Sequence, residues 1–208
     1  MVKVERVVLG MYQTNTYLLY NEGSKDAVVV DPADSGEYIH SVCEDKGLSV
    51  KAILHTHGHF DHIFGANKLK SLSNCNIYAY EDEDALLRDE NLNISISVGR
   101  PTVLEADVLL RDNETLVLAG MEFKVIHTPG HTQGSCCYYL EKEGILIAGD
   151  TLFCLSIGRS DFPTGNGRQL LQSVKDRLFI LPSEVKVCPG HGDSSTIGFE
   201  KENNPFFT

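Results

Sequence analysis

The stretch "AILHTHGHFDH", residues 52 to 62, places His55, His57, His59 and His62 directly after an apolar run, half of the eight histidines in the chain. Imidazoles are costly as core filler unless something collects them. Whatever fold the chain adopts must bring together the end of this strand, a turn through Gly58 and the helix that starts near Asp61 or His62. His57 and His59 are two apart, so in extended chain their rings project to one side. Asp61 and His62 are adjacent and can address a second centre nearby.

Three later segments share this grammar, an apolar run followed by a polar residue among glycines: "IHTPGHTQGS" with His131, "ILIAGDTLF" with Asp150, and "VKVCPGHGD" with His191. Loops at the carboxyl ends of strands are where α/β sheets usually carry their sites. Imidazole and carboxylate donors suit zinc, iron or manganese, and no cysteine stands at these positions. The set His57, His59, Asp61, His62, His131, Asp150 and His191 is too large for one tetrahedral ion and suits two ions sharing a carboxylate. His55 and His127, close to the candidate ligands, read as supporting groups, and His40, in an expected helix, as an ordinary histidine.

The rest of the chain is consistent with a layered α/β protein. Short β-branched runs followed by turn residues occupy both halves, from "VERVVLG" to "EVKVCPG". Helices are expected over "SGEYIHSVCEDKG", "DHIFGANKLKSL", "EDEDALLRDE" (a short surface helix) and "NGRQLLQSVKDRLFILP". Residues 89 to 103 read as a loop crossing between the halves. The 208 residues suffice for one domain, 1–208, with a substantial core. A net charge of −11 with scattered basic residues argues against nucleic acid as a partner. No apolar stretch is long enough to cross a membrane and no signal peptide is evident, so a cytoplasmic location is expected. The six cysteines form no C-x-x-C pair and read as reduced, small hydrophobes.

"HTHGHFDH" with "PGHTQGS", "GDTLF" and "PGHG" resembles the metallo-β-lactamase superfamily over roughly residues 10 to 200. The resemblance implies a four-layered αββα sandwich with one metal on His57, His59 and His131, a second on Asp61, His62 and His191, and Asp150 bridging. It implies two divalent ions, zinc first and iron or manganese as alternatives, and a bridging hydroxide as nucleophile, with Asp61 both ligating and orienting it. Asp31 resembles a family position that fixes the "HTHGH" loop. True β-lactamases place a cysteine at the position of Asp150, which disfavours that branch. "GDTLFCLSIGRSDFPTGN" is similar to the glyoxalase II (hydroxyacylglutathione hydrolase) branch, in shorter relatives without the C-terminal helical domain. That implies a small glutathione thioester as substrate and Arg159 as a residue that meets it. Asp161 is expected to tie its own loop to Arg159, and Tyr138 and Tyr139 to pack. Persulfide dioxygenase chemistry on one iron held by His57, His131 and Asp150, and lactone hydrolysis, are the alternative readings.

Overall fold

Several strands are apolar along all or nearly all of their length because both their faces are covered. In β9 (Cys136–Leu140), Cys136 and Tyr138 point into a core between two sheets, while Cys137 and Tyr139 point outward beneath helices. In β3 (Asp26–Val30), Val28 and Val30 face the partner sheet, and Ala27 and Val29 face helices. Period-2 alternation of polarity is therefore absent where the fold is most buried.

The computed structural model describes all 208 residues. Its first sheet runs β1 (Val2–Leu9), β2 (Thr14–Asn21), β3, β4 (Ser49–Leu54), β5 (Asn76–Tyr80) and β6 (Val108–Leu110). The meander β1–β2–β3 is antiparallel, and β3 to β6 are parallel. The second sheet is ordered β14 (Ser195–Thr196), β13 (Lys186–Pro189), β10 (Ile145–Gly149), β9, β8 (Met121–His127) and β7 (Thr115–Leu118). A small hairpin, β11 (Leu152–Phe153) and β12 (Ser156–Ile157), follows β10. Helices α1 (Gly36–Asp45), α2 (Phe60–Ile63) and α3 (Ala66–Ser73) accompany the first sheet, where Ile39, Cys43, Ile63 and Leu69 pack on its outer face. The short α4 (Asp84–Leu87) follows β5. On the second sheet, α5 (Gly167–Ser173), a π turn over Val174–Leu178 and α6 (Ile197–Asn203) play the covering part. The result is the expected αββα sandwich.

Three expectations change. The helix anticipated over 61–72 is two helices, α2 and α3, broken at Phe64–Gly65. A side chain at Gly65 would stand 2.8 Å from the carbonyl oxygens of Pro32 and Asp34, so glycine lets α3 dock on the loop after β3. Residues 89–103 do not cross between the halves. The chain returns to the first sheet as β6, whose three residues are too short to mark a strand, and crosses at Arg111–Glu114 instead. "EDEDALLRDE" is not a surface helix throughout, because Glu83 within it is buried.

All six cysteines are free and five are buried. Burial pushes the Cys43, Cys137 and Cys188 thiols up to about 11, which keeps them protonated packing groups. No helix is long and apolar enough to cross a membrane.

Candidate metal centre

The loops after β4, β8, β10 and β13 converge at one edge of the sandwich, and each brings its histidine or aspartate. His57 Nε2 lies 3.1 Å from His131 Nε2, which lies 2.8 Å from His59 Nδ1. His131 Nδ1 is 2.6 Å from the Arg159 carbonyl and must carry the proton to bond there, so its Nε2 is bare. Burial, reinforced by neighbouring imidazoles, pushes His57 and His59 well below the ordinary histidine range; burial also lowers His131. Neutral imidazoles with lone pairs turned on one another are what a cation would satisfy.

A second cluster adjoins the first. Asp61 Oδ2 is 3.3 Å from His191 Nε2 and 3.7 Å from His62 Nε2. Asp150 stands between the two groups. Its Oδ1 is 3.4 Å from His62 Nε2, and its Oδ2 is 3.6 Å from His131 Nε2 and 3.5 Å from His191 Nε2. His62 Nε2 and Asp150 Oδ1 are buried with no hydrogen-bond partner, orphans that a bound cation would satisfy. The donor set therefore fits divalent metal, and each triad has its donor atoms within 4.8 Å of one another. Burial lowers His62, but Asp61, Asp150 and Asp31 outweigh it and hold the ring well above the ordinary range. Burial likewise raises Asp150, and the imidazoles of His62, His131 and His191 outweigh it, leaving the carboxylate ionised.

Groups behind the donors fix their orientation. Asp31 Oδ1 accepts from the Thr56 N–H at 2.8 Å, and its Oδ2 accepts from the Thr56 hydroxyl at 2.6 Å. The same Oδ2 lies 3.0 Å from His62 Nδ1, which turns Nε2 toward the centre. Asp31 thus fixes the loop as its position suggested. His55 is fully buried, yet both ring nitrogens lack partners and Asp31 is 3.7 Å away; it packs behind the site and bonds no donor. His127 stacks on Tyr80 at 4.1 Å and bonds the Gln133 carbonyl at 2.9 Å, supporting the loop after His131. His40 lies in α1, away from the centre, paired with Glu44. Tyr138 is buried, its hydroxyl donating to the His55 carbonyl, and Tyr139 packs under the helices.

Two supports were not legible in the sequence. Glu83 is fully buried and accepts from the Gly58 N–H at 2.7 Å, the Gly134 N–H at 2.9 Å and the Thr132 hydroxyl at 2.9 Å. It clamps the loop of His57 and His59 to the loop of His131. At the start of β2, the Thr14 hydroxyl donates to Asp61 Oδ2 at 2.9 Å, and Asn15 donates to the carbonyls of Pro189 and Gly192 around His191. A run of buried polar residues, Thr14–Asn15–Thr16, at the head of an apolar strand was the available signal. Gly58 owes its place to space: a side chain would meet Leu86 and Leu87 at 2.7 and 2.8 Å.

The centre opens into a cleft of about 640 Å³ walled by Tyr12, Phe60, Ile94, Phe153 and Phe162, with Arg159 at its rim. Arg159 pairs bidentately with Asp161 at 2.8 and 2.7 Å and lies over the Phe162 ring at 3.6 Å. Another hollow, about 430 Å³ beside His40 and Cys43, lies on the far side of the first sheet and holds none of these groups.

The model of the metallo-beta-lactamase superfamily matches residues 9–194. The chain belongs to this superfamily. A Haemophilus influenzae relative, the hydroxyacylglutathione hydrolase GloC, is 32% identical over 211 residues, covering 99% of this chain and 98% of its own. The crystal structure of the BLEG-1 B3 metallo-β-lactamase is 40% identical with a TM-score of 0.94, over 100% of both chains. That of TTHA1623 in a di-iron-bound form is 33% identical with a TM-score of 0.87, over 98% of this chain and 100% of the other. The metallo-β-lactamase core of this chain thus has its His/Asp cluster where four strand-exit loops meet.

Proposed function

We propose that the protein is a metal-dependent hydrolase of small thioesters, S-acylglutathiones first among them, working with two divalent cations. The observation that carries this is the placement of Asp150 between the triads His57–His59–His131 and Asp61–His62–His191, with His62 Nε2 and Asp150 Oδ1 buried and without a hydrogen-bond partner. These seven residues would hold the pair, Asp150 serving both ions. Such ions, when bound, polarise a carbonyl and lower the pKa of water toward ~7. Zinc leads on donor chemistry; the di-iron-bound neighbour keeps iron in view, and manganese fits the same donors.

The chain's own residues supply orientation. Thr14 holds Asp61 by its Oδ2, so the carboxylate faces the cleft at a fixed angle and can orient an attacking water. The Arg159 carbonyl sets the His131 ring, while its guanidinium, committed to Asp161 through Nε and Nη2, keeps Nη1 for a polar group of the substrate. One residue thereby couples a metal donor to the substrate rim. The GloC relative supports glutathione as the thiol carrier.

Lactam opening is the second reading: Asp150 stands where a lactamase was expected to carry cysteine, yet a solved structure named a B3 metallo-β-lactamase is 40% identical to this chain over its full length. Both readings share attack on an acyl carbon and differ in leaving group. Metal-loaded protein assayed with S-lactoylglutathione and with a chromogenic β-lactam separates them. Thioester turnover at least ~100-fold above lactam turnover supports the proposal; lactam turnover with the thioester inert overturns it.

A further inference from the structure

A groove of about 340 Å³ leaves the metal cleft beside Asp61 and runs away from Arg159. It shares Tyr12, Phe60, Asp61 and Val98 with the cleft, so the two are continuous. Its floor is an aromatic row. The Tyr12 and Phe60 rings meet edge to face at 5.0 Å, and Phe60 and Phe64 follow at 5.5 Å. The Arg100 guanidinium covers Phe64 at 4.1 Å and is paired with Asp34 at 2.9 Å, which closes the far end and cancels its charge. Apolar side chains stand exposed along the lips: Met11 is 89% exposed, Tyr12 49% and Val98 39%.

The lip that carries Val98 is held under strain. Ile94, in the cleft wall, adopts φ +68°, a left-handed conformation that β-branched residues rarely take. The buried Asn93 beside it accepts from the Ser95 N–H and donates to the Thr102 carbonyl, which locks the turn. A strained wall over a continuous apolar floor is a preformed site rather than a loose surface. Its volume falls at the small end of ligand pockets.

Resting on the thioester reading above, we propose that this groove takes the acyl portion of the substrate and makes the protein favour longer apolar acyl chains over short ones. The groove offers no uncompensated cation for an anionic acyl group, since its one guanidinium is matched by Asp34. The arm of the cleft that ends at Ser156 and Arg159 is left for the thiol carrier. Attack at a carbonyl beside Asp61 then places the acyl chain over Phe60.

The test uses metal-loaded protein and two parallel series, acetyl, butyryl and hexanoyl thioesters of glutathione and of N-acetylcysteamine. With each methylene buried in the groove, kcat/KM rises about fourfold. Val98→Asp, at a part-exposed position, flattens that slope in both series while metal content per chain stays that of the wild type. A flat slope in the wild type, or an unchanged slope in Val98→Asp, overturns the groove. Calorimetric binding of S-hexylglutathione against S-methylglutathione decides the groove independently of turnover: tighter binding of the hexyl compound, lost in Val98→Asp, supports it, and equal affinity overturns it. Failure to hydrolyse any thioester sinks the parent reading alone.

Discussion

Glu83→Gln is the perturbation that most isolates how the metal loops are held. The native carboxylate accepts from Gly58 on one oxygen and from Gly134 and Thr132 on the other. An amide keeps one acceptor and must turn its NH₂ toward either Gly58 N–H or Gly134 N–H. Each choice sets donor against donor in a buried place, which costs about 1–3 kcal/mol. For a domain of this length that lowers Tm by about 2–12 °C. Gly58 sits between His57 and His59, so the freed loop also presents its imidazoles less rigidly. Removing such outer supports weakens metal binding by about 10–100-fold. Chelator competition on the refolded variant measures that weakening, and a thermal melt measures the rest. Wild-type metal affinity in Glu83→Gln, whatever its Tm, would refute the clamp.

The same residue sets a pH dependence. Burial, against its three donors, pushes the Glu83 carboxyl up to about 7 from 4.5. The native state therefore holds this proton more tightly than the unfolded chain between those values, and the contribution is lost as pH rises through that window. A protonated carboxyl can donate to Thr132, which lies 2.7 Å from Ser135, while still accepting from Gly134; an amide nitrogen cannot accept. The Tm advantage of wild type over Glu83→Gln should shrink between pH 5 and pH 8, and a constant gap would contradict this. Asp150→Ala should abolish hydrolysis and lower metal content, whereas His40→Ala should do neither; a fully active Asp150→Ala enzyme would sink the bridging assignment. Asp31→Asn should leave the fold in place, judged by circular dichroism, but reduce metal affinity about 10–100-fold, since His62 loses its carboxylate acceptor. Gly130→Ala should yield little folded protein in expression trials, because Gly130 has φ +135° and an added Cβ would collide with the Leu170 backbone.

The residues that gather in the His/Asp cluster were legible because each of their segments follows an apolar run and carries a glycine, and the first four sit within six positions. Their supports were not. Glu83 is one of four consecutive acidic residues, and nothing local distinguishes the one that folds inward. Thr14 meets Asp61 across 47 positions, a contact that exists only once β2 passes behind α2. β6 escaped because three residues carry no periodicity, and its membership of the first sheet is set by pairing with β5. Strand character in β3 and β9 was readable from composition, but which residue faces which core was not, since every position but Asp26 is buried.

The proposed centre holds two ions shared through Asp150. Metal-free protein titrated with zinc, and separately with iron under anaerobic conditions, while thioester hydrolysis is followed puts that stoichiometry to the test. Activity that rises to a plateau at about two equivalents per chain is the predicted result. A plateau at one equivalent, or hydrolysis undiminished without metal, would contradict it.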